Sequence, residues 1–179
     1  MPMTQLEDTL PQWDFTERHS RWIDAQPGQV WEALTTLRLE DLTLTRPLVA
    51  VRHLGSSGTK MSSSLFQDGP VTMLRTDPPC YAVGGAIAKP WQPRPDRRVP
   101  ASLSDFASFT EPGWVKYLTD FRLIATGHGT RLVTVTRGVC TDAAARRRFK
   151  WYWAAIRPAS GLVRKDILWT TARWARAGA

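Results

Sequence analysis

Residues 114–168, "WVKYLTDFRLIATGHGTRLVTVTRGVCTDAAARRRFKWYWAAIRPASGLVRKDIL", decide how this chain folds. Two alternating runs meet at Gly127-His128-Gly129, the pattern of an antiparallel hairpin with a tight turn. In the first run Tyr117, Thr119, Phe121 and Leu123 share one face, and Lys116, Asp120 and Arg122 share the other. In the second, Leu132, Thr134, Thr136 and Cys140 alternate with Arg131, Val133, Val135 and Arg137. Charge assigns the arginine-bearing face to solvent, and Asp120 with it, although Val133 and Val135 lie there too. Thr141-Asp142 then reads as the cap of a helix running to near the C-terminus. At about 100° per residue, Phe149, Tyr152, Trp153, Ile156, Ser160, Val163, Ile167 and Trp174 form one stripe, which a long helix lays on a sheet. Pro158 has no N–H to donate, so a kink or break is expected there, with Gly161 helping.

Upstream, "DFTERHSRWID" (14–24) reads as a strand. In "AQPGQVWEALTTL" (25–37), Val30, Trp31 and Leu34 recur at helical spacing after Pro27-Gly28. "RPLVAVRHL" (46–54) is a second strand, and "GSSGTKMSSS" (55–64) a turn into another. "PVTMLRTD" (70–77) and "CYAVGGAIAKPW" (80–91) flank the turn signal Asp77-Pro78-Pro79 and predict a strand pair. The stretch "QPRPDRRVPASLSDFASFTEPG" (92–113) is too long and proline-rich for a tight connection. It carries Phe106 and Phe109 and is expected to be a lid.

With 179 residues and 42% hydrophobic composition, one domain is expected over residues 14–179, after a tail at residues 1–13. No basic leader with an apolar core opens the chain, and no run of about 18 apolar residues occurs, which predicts a soluble, cytoplasmic protein. Cys80 and Cys140 are too few for a disulfide framework and read as small buried hydrophobes. From Arg146 onward nine basic residues face one acid, Asp166, so this segment alone carries the formal net charge of +8.

The order of strand, short helix, antiparallel strands and long terminal helix resembles the START-like superfamily, also called the birch-pollen-allergen or polyketide cyclase/dehydrase superfamily. The resemblance rests on "RHSRWIDAQPGQVWEALTTL" (18–37), "YAVGGAIAKPW" (81–91) and residues 106–168, most of the chain after Trp13. It implies an α+β helix-grip fold: a curved antiparallel sheet of six to seven strands around a long C-terminal helix, one or two short helices after the first strand, and an internal apolar cavity. Superfamily members bind lipids and hormones, cyclise polyketides and deliver hydrophobic cofactors. No catalytic motif carries over.

Of the three histidines, His128 belongs to the hairpin tip, while His19 and His53 lie in strands where they could face the cavity but read more readily as satisfied or surface residues. No metal-ligand spacing, nucleophile elbow or paired-carboxylate pattern occurs, so neither a metal nor a cofactor is expected. Aromatic residues are the positive signal. The candidate ligand-binding set is Tyr81, Trp91, Phe106, Phe109, Trp114, Tyr117, Thr119, Phe121, Thr134, Thr136, Phe149, Tyr152, Trp153 and Ile156, an apolar chamber with a few hydroxyls. Tyr117 and Tyr81 are the hydroxyls that would polarise a substrate in a cofactor-free cyclase or dehydratase, and Arg137 or Arg157, if turned inward, would pair with a ligand carboxylate.

A second class of function stays open. Trp151, Leu162 and Trp169 lie opposite the buried stripe, near Arg147, Lys165 and Arg176, and could dock on an anionic membrane, a partner protein or a second copy of the chain as a homodimer. The absence of any nucleic-acid motif argues against nucleic acid.

Overall fold

The computed structural model describes residues 4–44, 64–66 and 71–178. The chain begins with a one-turn helix, α1 (Gln5–Thr9), closed by a capping box between Thr4 and Glu7. Strand β1 (Phe15–Ile23) leads into α2 (Pro27–Thr36), which has proline in its first turn and buries Val30, Ala33 and Leu34 at helical spacing. A short 3-10 turn, Leu39–Asp41, follows. Strands β2 (Thr72–Asp77) and β3 (Tyr81–Lys89) form the expected pair, and a short β4 (Asp96–Arg98) joins the same edge of β3. After α3 (Leu103–Ser108) come β5 (Val115–Thr126) and β6 (Gly129–Cys140), paired without a slip from Val115 opposite Cys140 to Thr126 opposite Gly129. The chain ends in α4 (Ala143–Ala177).

Among the described residues the strands form one antiparallel sheet in the order β1-β6-β5-β3-β2, with β4 on β3. The curved sheet wraps the 35-residue α4, the helix-grip arrangement. The strand expected at residues 46–54, with His53, lies outside the described residues, as does all but the last residue of the turn at 55–64.

Both faces of the sheet are covered, which explains the valines on the arginine-bearing side. On the inner face Ile23, Ala82, Phe121, Leu123 and Leu132 pack with α2 and with Ile167, Leu168, Ala172 and Ala175 of α4. On the outer face Val83, Ile87, Leu118, Val133 and Val135 pack beneath Leu6 and Leu10 from the α1 region and Phe106 of α3. Residues 4–10, expected to belong to a tail, are therefore structural. The expected lid is instead the cover of this second core. Asp120, expected in solvent, is fully buried there.

Asp142 caps α4 as expected: its Oδ1 accepts from the Ala145 N–H at 2.7 Å, and its Oδ2 accepts from the Gly113 N–H. Those two backbone donors hold its carboxyl below the usual carboxylate range. The helix does not end at Pro158. Burial of the stripe on both sides, at Phe149 and at Ile167, offsets the cost of about 3 kcal/mol that proline brings to a helix interior. Of the two cysteines, Cys140 is buried and its thiol is pushed up to about 12, mainly by burial, whereas Cys80 is exposed, at the β2–β3 turn.

One contact fixes the entry of β1. Phe15 pairs across the sheet with Gly138, and its ring lies where a Gly138 side chain would stand. Gly138→Ala is expected to push Phe15 off the sheet and to cost about 1–3 kcal/mol, read as a lower urea midpoint at unchanged slope.

Candidate functional site

Helix α4 is clamped to the sheet at two places. Near its start Ala145 and Phe149 pack with Val115 and Cys140, and beyond Ile167 it packs with α2. Between the clamps its inward residues Tyr152, Trp153, Ile156, Ser160 and Val163 are only half-buried, because they face a cavity of about 490 Å³ instead of packed atoms. That volume lies in the range of small-molecule sites, roughly 300–1,000 Å³.

Strand register arranges the sheet face beneath α4 in rows across β1, β6 and β5, and Phe15, Tyr117, Thr119, Phe121 and Thr136 of these rows line the cavity. Phe15, Gly138 and Tyr117 form the first row, Glu17, Thr136 and Thr119 the second, and His19, Thr134 and Phe121 the third. The middle row is polar. Thr119 and Thr136 share a hydroxyl hydrogen bond of 2.9 Å, and Glu17 Oε1 lies 2.8 Å from His19 Nε2. Ser160 of α4 donates to Glu17 Oε2 at 3.2 Å. At Gly161 the helix comes so close that a Cβ would stand 3.0 Å from Glu17 Oε1.

Arg164 hangs from α4 over this polar row. Its Nη1 and Nη2 reach the Thr134 and Thr119 hydroxyls at 3.4 and 3.5 Å, and its Nε lies 3.8 Å from Glu17 Oε2. Burial lowers its pKa and the Glu17 carboxylate opposes that shift; a guanidinium is basic enough to stay charged in a protein. Apolar walls extend to either side: Phe15, Phe149, Tyr152 and Trp153 toward one end, and Leu39, Leu65, Met73, Phe121 and Ile167 toward the other.

Eight of the expected ligand-binding residues line the cavity: Tyr117, Thr119, Phe121, Thr136, Phe149, Tyr152, Trp153 and Ile156. Thr134 is buried on the same face and accepts from Arg164. Trp91 packs edge-on against Phe149 at 6.4 Å, next to the lining residue Pro90.

The other four do not join them. Phe106, Phe109 and Trp114 belong to the outer core, and the Tyr81 hydroxyl accepts from the Leu6 N–H at 3.2 Å on that same side. Burial pushes the Tyr81 hydroxyl up, so it serves structure and leaves Tyr117 as the tyrosine of the pair that faces the cavity. Of the arginines considered for the interior, Arg137 lies over the Trp13 ring at 4.0 Å on the outer face, and Arg157 is exposed.

Arg164, Glu17 and Ser160 are the site residues that sequence alone did not single out as a group. One signal was available for Arg164: on the helical wheel it falls about 20° beyond Trp153, at the edge of the buried stripe. On the opposite side of α4, Trp151 is 77% exposed, Leu162 41% and Trp169 38%, as the wheel predicts. No helix among the described residues is long and apolar enough to cross a membrane.

No protein-family model matches the chain, and no curated protein matches it by sequence. Solved structures do resemble it. Mll3558 from Rhizobium loti is 16% identical over 87% of this chain and 96% of its own, with a TM-score of 0.45. DynU16, a protein of the dynemicin biosynthetic locus, is 14% identical over 92% of this chain and 48% of its own, with a TM-score of 0.41. CalU16 from Micromonospora echinospora is 15% identical over 91% of this chain and 98% of its own, with a TM-score of 0.32.

Proposed function

We propose that the protein binds an apolar or aromatic small molecule in the cavity between the sheet and α4. The observation that carries this reading is a cavity of about 490 Å³ walled by aromatic and aliphatic side chains, with a polar row confined to its middle. Burying a ring of a ligand against these walls is favourable at roughly 25 cal/mol per Å² of apolar surface, and the polar row fixes its orientation. Cofactor-free cyclisation or dehydration in the same cavity would use the Tyr117 hydroxyl to polarise a carbonyl held away from water.

The neutral probe N-phenyl-1-naphthylamine, whose fluorescence rises in apolar surroundings, tests the binding. Ala159 lines the cavity. Ala159→Phe should fill it and weaken probe binding by about tenfold or more, with the unfolding midpoint unchanged or raised. Probe binding equal in the two proteins would place the probe elsewhere and overturn the proposal.

A further inference from the structure

Eight of the nine basic residues from Arg146 onward are exposed, and Arg164 alone turns into the cavity. Its side chain keeps only 16% of its accessible surface. A guanidinium has five N–H donors, and burying one unmet costs more than a typical hydrogen bond returns. Here the two hydroxyl contacts, at 3.4 and 3.5 Å, stand at the outer limit for hydrogen bonds, and the buried Nε has no hydrogen-bond partner.

Glu17 is the nearest anion, yet it is engaged elsewhere. Its Oε1 is held by His19 at 2.8 Å and its Oε2 by Ser160 at 3.2 Å, which leaves it 3.8 Å from Arg164 Nε. Thr119 is likewise occupied by Thr136. The cavity therefore contains a charged, planar donor fork whose Nη1 and Nη2 each keep a second N–H beyond one long hydroxyl contact, between two apolar ends. Such a fork takes an oxyanion in bidentate fashion, and with the Glu17 carboxylate 3.8 Å away and apolar walls on either side a singly charged carboxylate fits better than a doubly charged phosphate.

We infer that the ligand is an apolar or aromatic carboxylic acid, its carboxylate held by Arg164 and its hydrophobic body lying along the aromatic or aliphatic wall. This rests on the binding reading above and names the class of molecule. Glu17 sets a limit on it, because a second negative charge beside the fork disfavours an anion that does not reach the guanidinium directly.

Two probes of nearly one shape separate the questions: 1-pyrenebutyrate and 1-pyrenebutanol, each followed by quenching of tryptophan emission, with Trp153 in the cavity wall. The wild-type protein should prefer the acid. Arg164→Met should weaken the acid by about tenfold or more and leave the alcohol within about twofold, and Arg164→Lys, which keeps the charge and loses the fork, should fall between. Glu17→Gln should act in the opposite direction, tightening the acid by about threefold or more with the alcohol unchanged. A purely structural role for Arg164 would weaken both probes alike. An acid-to-alcohol ratio that is the same in wild type and Arg164→Met overturns the inference while the binding reading stands; failure of wild type to bind either pyrene probe or N-phenyl-1-naphthylamine overturns both. Should Arg164→Met not fold, the Glu17→Gln ratio decides alone: a rise supports the inference, and no change overturns it.

Discussion

Phe106→Ala is expected to lower the unfolding free energy by about 3–5 kcal/mol and to leave binding of N-phenyl-1-naphthylamine in the cavity unchanged. Phe106 is fully buried against the outer face of the sheet. A Cβ on Gly85 of β3 would stand 3.2 Å from its ring, so the aromatic lies directly on strand backbone. Lys116 of β5 fastens the helix that carries it, donating to the carbonyls of Phe106, Ala107 and Phe109 at 3.1, 2.9 and 2.9 Å. A positive charge at the end of a helix also meets the negative end of its dipole. Removing the ring leaves a void that strand and helix cannot both close. Urea unfolding and probe titration on the same variant give the two readouts. A lid would behave in reverse, with small loss of stability and a changed affinity for the probe, and that result would return residues 92–113 to the cavity mouth.

The hairpin and the long helix were legible because their patterns are long. Twelve-residue strands alternate enough times to fix which residues share a face, and the stripe from Phe149 to Ile167 repeats through five turns. The cover on the outer face was hidden by its brevity. Helix α1 has five residues, below the length at which periodicity or propensity says anything, and it exists because Leu6 and Leu10 are buried. Its one sequence mark is the Thr4-Gln5-Leu6-Glu7 capping box. Assigning the arginine face of β5 and β6 to solvent failed for a related reason: Arg122 and Arg137 reach along the sheet to Glu7 of α1, at 3.6 and 3.8 Å, while Leu118, Val133 and Val135 beside them are buried. The site divides in the same way. Its walls follow from period and pattern, but Arg164 was hidden among eight solvated arginines and lysines of one helix. Only three-dimensional register reveals that its turn of α4 passes over Glu17, Thr119 and Thr134.

Arg122→Met is expected to cost about 3 kcal/mol or more near pH 8, because it strands a buried charge. The Asp120 carboxylate is fully buried, accepts from Arg122 Nε at 2.7 Å on Oδ2, and accepts from the Val135 N–H at 3.1 Å on Oδ1. Without the guanidinium one backbone donor, the Val135 N–H, remains to hold a fully buried anion. Burial already raises the Asp120 pKa, with Arg122 opposing, so removing Arg122 raises it further. A carboxyl whose folded pKa lies above its unfolded value of about 3.9 binds its proton more tightly in the native state. Its contribution to stability is full below the unfolded value and is lost as pH rises through the folded one. The deficit of Arg122→Met should therefore be largest at pH 8 and shrink as pH falls toward 5. Glu7 works the other way: the Thr4 backbone N–H, then Arg122 and Arg137, hold its pKa down, so its contribution fades on acidification, and a Glu7→Gln background removes it from the comparison. Adding Asp120→Asn to Arg122→Met should restore most of the loss, since the stranded charge is gone. A deficit that is equal at pH 5 and pH 8 and is not rescued by Asp120→Asn would mean that Arg122 acts through its contact with α1 alone, and that Asp120 is already neutral in the native protein.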